Sequence, residues 1–129
     1  MTTWLNLLAI AMGGAIGALS RYGITVAASM VPGGSSLWGT TIANLLGCIL
    51  LGVVSALNPG ETAASERLML AIRVGFLGSL TTFSTFTAES VGLANEGRWG
   101  GNALYLLANL VIGWIVLFVA AETVKGWTQ

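Results

Sequence analysis

Histidine and aspartate are absent from the 129-residue chain, cysteine occurs once, at Cys48, and proline twice. A zinc site built on His and Cys therefore lacks its ligands, and no disulfide can close within the chain. Charge is scarce too: 8% of residues are charged, five basic against five acidic, for a net charge of zero. Soluble domains carry about 25% charged residues, so a chain with a third of that cannot cover its own surface against water. Disorder and nucleic-acid binding both need charge in excess and are excluded by the same arithmetic. No acid–base pair, nucleophile–base pair or phosphate loop offers a catalytic reading, and Glu89 has no evident catalytic partner, so no enzyme is expected.

What is abundant is hydrocarbon. Hydrophobic residues make up 55% of the chain and the mean hydropathy is +0.84, which makes lipid the solvent. A spanning helix needs about 20 mostly apolar residues to cross a hydrocarbon core of about 30 Å. Four such runs occur, at about residues 4–31, 37–57, 68–94 and 103–121, so residues 1–129 read as a single four-helix, all-α membrane domain. The first run is too long for a removable signal peptide, and no small-residue cleavage site followed by soluble sequence succeeds it; it is expected to stay as a span. The connections are Pro32-Gly33-Gly34-Ser35-Ser36, Asn58-Pro59-Gly60-Glu61-Thr62, and Asn95-Glu96-Gly97-Arg98 with Gly100 and Gly101, which are turns rather than domains. Trp4, Trp38, Trp99 and Trp127 fall near the ends of the runs, in the headgroup zone that amphipathic rings prefer, and Trp114 alone falls mid-span.

Orientation is almost unmarked. With four spans, Arg67, Arg73 and Lys125 lie toward the N-terminal side, against Arg21 and Arg98 on the other. A chain without a positive-inside signal is free to insert both ways, and oppositely inserted copies can pair about an axis in the membrane plane; one fixed orientation set by context is the other reading. Ala9, Gly13 and Gly17, with Gly14 and Ala18, form a small-residue face on the first span, suited to close helix contact either within one chain or between two.

Polar residues at membrane depth carry free-energy costs unless they face a partner or water. Arg21 comes late in the first span and either snorkels to the interface or draws anions into a vestibule. Asn44 lies in the middle of the second span, where its amide either bonds helix to helix or presents two N–H donors to an anion. The stretch from Gly75 to Thr87 is the most unusual, with six hydroxyls and two glycines within thirteen residues near the centre of the third span. Hydroxyls that back-bond to the preceding turn, together with glycine, favour a bend or an unwound segment. Irregular backbone at that depth is tolerated only when buried in protein or lining a wet path, so this is either a packing kink or a pore wall. Phe83 and Phe86, three apart, share a face, and their electropositive ring edges suit an anion as well as they suit a core pair; the flanking Thr82 and Ser84 favour the anion.

These residues resemble the small bacterial fluoride channels called Fluc or CrcB. Gly13-Gly14-Ala15-Ile16-Gly17-Ala18-Leu19-Ser20-Arg21-Tyr22 is similar to that family's first-helix signature, and Gly39-Thr40 with Asn44 and Gly47 to its second-helix motif. Gly75-Phe76 through Gly78 to Thr81-Thr82-Phe83-Ser84-Thr85-Phe86, with Glu89 following, resembles its most specific element. The resemblance implies an antiparallel, dual-topology homodimer in the bacterial inner membrane. Two separate pathways would conduct fluoride passively outward and lower its cytoplasmic level. By position, Phe83 and Phe86 would supply an aromatic box, Asn44 a polar contact, Thr82 and Ser84 nearby hydroxyls, and Arg21 a place near a vestibule. A break in the third helix would offer the carbonyls of Gly78 and Thr81 from each subunit to one structural sodium ion at the dimer interface. The fourth span departs from the pattern: its polar side chains are Tyr105, assigned to the anion pathway, and Asn109, and Gly113-Trp114 stand where a Gly-Ser pair is expected. The alternative is a small proton-coupled, dual-topology exporter. Such a carrier needs a carboxylate at membrane depth, and only Glu89 could serve.

Overall fold

A computed structural model describes residues 3–57, 60 and 62–128; Asn58, Pro59 and Glu61 of the second connection lie outside the described residues. Among the described residues four helical stretches are long and apolar enough to cross a membrane: Trp4–Met30, Ser36–Ala56, Ala63–Asn95 and Trp99–Trp127. The first two follow the apolar runs closely. The third begins at Ala63, ahead of its run, because Thr62 and Ser65 build a capping box that hydropathy cannot register. Thr62 Oγ1 accepts the Ser65 N–H and Ser65 Oγ accepts the Thr62 N–H, each at 3.1 Å. The fourth starts at Trp99 and continues past the apolar run, with Lys125 Nζ 2.7 Å from Glu122 Oε1 along its exposed last turns. Between the third and fourth spans the chain turns through Gly97 at φ 72°. Its N–H bonds Ala94 O at 3.0 Å and the Arg98 N–H bonds Leu93 O at 2.9 Å, a Schellman closure that needs the left-handed residue at that point.

The small residues decide how the spans pack. A Cβ on Gly13 would overlap the Ala71 carbonyl oxygen, and one on Gly17 the Phe76 carbonyl oxygen. From the other side, Gly75 meets Ile10 O and the Gly13 Cα. The glycine face of the first span is thus a backbone-to-backbone contact with the third span of the same chain, which settles Gly13 and Gly17 as intrachain packing. The facing stretch Leu70–Leu77 is wound as π-helix, as is Leu107–Ile112 in the fourth span. Gly78 N–H accordingly reaches back to Arg73 O and Gly113 N–H to Ala108 O. Such turns carry one extra residue per turn and re-aim the side chains after them.

Within one chain only 11% to 28% of an 18-residue apolar stretch of each span is buried. The accessible surface is 8033 Å², where a compact soluble protein of 13.3 kDa would expose about 6,400 Å². The excess is apolar side chain facing outward, including Trp114, which stacks on Phe118 with ring centroids 5.7 Å apart and planes 7° apart. Such a chain is a multi-pass membrane protein by every physical criterion of length and hydropathy.

Candidate functional site

Near the middle of the third span the helix bends at residues 81–82. Thr81 has φ −82°, ψ 156° and Thr82 φ −150°, ψ 119°, both extended. The bend starts where the hydroxyl-rich stretch predicts it, and the local cause is a competition for backbone donors. In a continuous α-helix the Thr82 N–H would return to the Gly78 carbonyl and the Thr85 N–H to the Thr81 carbonyl. Here Thr82 N–H goes to Asn44 Oδ1 at 2.8 Å and Thr85 N–H to Thr82 Oγ1 at 3.2 Å, an N-cap that restarts the helix at Phe83. The Gly78 and Thr81 carbonyls thereby lose their helical donors. Gly47 on the second span lies directly under the Thr81 methyl and leaves the bend room to approach.

Asn44 is the partner the bend requires. Its Oδ1 takes the Thr82 N–H, while Nδ2 donates to the Thr82 carbonyl at 3.3 Å and to Asn109 Oδ1 at 2.9 Å. Asn109 in turn donates from Nδ2 to Thr41 Oγ1 at 3.1 Å and to the Tyr105 carbonyl at 3.0 Å. A polar seam thus joins the second, third and fourth spans at depth. Of the two readings open for Asn44, helix-to-helix bonding is what the geometry displays.

The seam borders a cleft of about 300 Å³ lined by Asn44, Gly78, Thr81, Thr82, Phe83, Phe86 and Asn109, with Arg73 also on its wall. Phe83 and Phe86 have ring centroids 5.8 Å apart at 53°, but their settings differ sharply: Phe83 is 72% exposed and Phe86 4%. Behind Phe86 lies Tyr105, centroids 5.3 Å apart, whose hydroxyl donates to Glu89 Oε2 at 2.6 Å. Tyr105 faces a separate, larger cavity of about 680 Å³ rather than the cleft. Ser84 is exposed beside the Thr82 hydroxyl, 3.5 Å from it. Arg21 stands apart from the cleft, with Nε donating to the Ser79 carbonyl at 3.1 Å, so it ties the first span to the third.

Of the residues named from sequence, the fold therefore gathers Asn44, Thr82, Phe83, Phe86, Gly78 and Thr81 at one place. Ser84 lies at its edge, and Tyr105 and Arg21 lie beyond it. The sequence names Arg73 and Asn109 but gives neither a role at the site. Arg73, counted only as a topology charge, lines the cleft and donates from Nη2 to Ser55 Oγ at 3.0 Å. The i, i+4 spacing of Asn109 after Tyr105 signals a shared polar face, but nothing in the chain order pairs it with Asn44. Gly113 meets Cys48 Sγ across the second span and Trp114 turns outward, so that pair offers no hydroxyl to the cleft. Among the described residues no three His, Cys, Asp or Glu side chains gather to hold a metal, so any cation here would rest on neutral oxygens.

This arrangement defines a class: a small four-span membrane protein with a bent third span and a polar, aromatic-edged seam at its centre. Residues 8–121 match the family model described as CrcB-like protein, Camphor Resistance (CrcB), and the chain belongs to that family. It is 39% identical to a fluoride-specific ion channel FluC of Rhodopirellula baltica, with 100% of both chains covered. Against a fluoride-specific ion channel FluC of Salinibacter ruber it is 45% identical, over 91% of this chain and 87% of the relative. A FluC of Shewanella is 41% identical over 92% and 95%. These relatives are channels, not enzymes.

Proposed function

We propose that the chain is a fluoride-selective channel of the bacterial inner membrane, passing fluoride outward down its electrochemical gradient and so lowering cytoplasmic fluoride. The observation that carries this reading is the Asn44-clamped bend with Phe83 and Phe86 at its edge, in a chain whose curated relatives carry that activity in their names. Fluoride is small and strongly hydrated, so a selective path replaces water with several close donors. Amide N–H, hydroxyl and phenyl-edge groups supply them without a bound charge that would trap the ion. Asn44, Thr82, Ser84 and Phe83 are the groups assigned to meet the ion first, with Phe86 and Tyr105 behind them and Arg21 toward a vestibule.

The working unit in this proposal is an antiparallel, dual-topology homodimer with two pathways. It is supported by the near balance of Lys and Arg across the spans and by the exposed ring of Phe83, which a second copy would cover. At the dimer centre the Gly78 and Thr81 carbonyls of each copy would hold one sodium ion. The donor set fits: these are the carbonyls whose helical N–H partners are diverted to Asn44 and to Thr82 Oγ1. Bound there, the ion would neutralise carbonyl dipoles that hydrocarbon cannot solvate, as a structural element and not as cargo.

Flux from liposomes holding the purified protein tests the reading. Rapid fluoride efflux, slow chloride efflux and indifference to an imposed proton gradient are expected. Equal passage of chloride, or efflux that follows the proton gradient as in a proton-coupled exporter, would overturn it.

A further inference from the structure

The amides of Asn44 and Asn109 can be oriented without ambiguity, because each touches a backbone group of one polarity. The Tyr105 carbonyl only accepts, so the Asn109 atom 3.0 Å from it is Nδ2, and the Asn109 atom turned toward Asn44 is Oδ1. At the other end the Thr82 N–H only donates, so the Asn44 atom 2.8 Å from it is Oδ1, which leaves Nδ2 toward Asn109. The two anchors, reached independently, agree. Asn44 therefore has both of its N–H bonds committed to protein oxygens, Asn109 Oδ1 at 2.9 Å and Thr82 O at 3.3 Å.

An anion in the cleft thus meets an amide with no idle donor and must displace an acceptor to gain one. Thr82 O cannot withdraw: it belongs to the backbone, and the Thr82 N–H holds the same residue against the Asn44 oxygen. Asn109 Oδ1 sits on a side chain and can turn aside, at the cost of loosening the Asn109 Nδ2 bonds to Thr41 Oγ1 and to the Tyr105 carbonyl. Such an exchange is favourable only for an anion that accepts hydrogen bonds more strongly than an amide oxygen does. Charge-assisted bonds are roughly twice as strong as neutral ones, and strength falls as the acceptor grows and its charge spreads. A small, hard anion wins the donor; a larger halide does not.

We infer that Asn109 is a specificity-determining positioning residue: its oxygen competes with the permeating anion for Asn44 Nδ2 and so screens out weak acceptors. This deepens the channel reading and rests on it. Discrimination here comes from a built-in rival rather than from better contacts to the preferred ion.

Asn109→Leu, which matches the amide in size and carries no acceptor, and Asn109→Ala, which leaves space instead, test the inference in liposomes with fluoride concentration varied. Releasing one neutral hydrogen bond, about 1 kcal/mol, corresponds to about a fivefold fall in half-saturating fluoride, together with a rise in chloride efflux. In an Asn44→Ala background the Asn109→Leu change should no longer move half-saturation. A purely structural Asn109 would lower maximal flux in both variants while half-saturation and chloride rejection stayed put, and that result overturns the inference. So does a shift that persists without Asn44. Failure of both variants to elute as folded protein would assign Asn109 to assembly and overturn it as well. Absence of fluoride flux in the wild-type protein would instead remove the channel reading, which keeps the two failures distinct.

Discussion

Phe83 and Phe86 allow function to be separated from stability, because the same substitution at two neighbouring rings meets opposite environments. Replacement by Ile keeps most of the volume and removes the electropositive ring edge. At Phe86, 4% exposed, the change forfeits two aromatic contacts, at 5.8 Å to Phe83 and 5.3 Å to Tyr105. Each such pair is worth about 0.5–1.5 kcal/mol beyond burial, so Phe86→Ile should cost about 1–3 kcal/mol. Phe83→Ile loses only the shared pair, and its 72% exposed ring leaves no cavity inside the chain. Its cost should be about 1 kcal/mol. If both ring edges face the anion, flux should nevertheless fall severely in each variant. Urea or guanidinium unfolding in mixed micelles gives the stability difference, and fluoride efflux from liposomes gives the function. Near-normal flux in Phe83→Ile would refute the aromatic assignment for the exposed ring. Flux losses that merely track the stability losses would return both rings to packing.

Single contacts set the other expectations. Gly17→Val should abolish folded protein or cost more than about 3 kcal/mol, since its side chain would enter the Phe76 carbonyl, whereas Gly92→Ala, with open space around it, should be neutral; expression and size-exclusion profiles compare them. Exchanging sodium for a large organic cation should weaken the proposed dimer and slow fluoride flux, as read by subunit exchange and efflux, while fluoride flux with stoichiometric sodium movement would show coupled transport instead. A tag at the C-terminus should be labelled from both sides of the membrane across a cell population, and strictly one-sided labelling would defeat dual insertion.

The spans are legible in the sequence because hydropathy is a local property, summed along the chain without regard to fold. The position of the bend is legible for a related reason: six hydroxyls and two glycines between Gly75 and Thr87 compete with the helix wherever they stand. The start of the third span is not, since the cap formed by Thr62 and Ser65 gains its stability from hydrogen bonds rather than from apolar character. Pairing lies further out of reach. Asn44 meets Thr82 across 38 residues and Asn109 across 65, and Arg21 meets Ser79 across 58. Such partners are chosen by how glycine faces let the helices approach, and by how π-helical turns rotate the residues beyond them. Phe83 and Phe86 differ in burial for the same reason: a spacing of three places two rings on one face, but only the packed neighbours decide which of them that face covers. Residue order alone dictates four lipid-embedded spans, with chemistry concentrated at the middle of the third. Which donors that chemistry leaves free is set only when the helices pack, because a hydrogen bond depends on where its two ends meet in space and chain order does not record that.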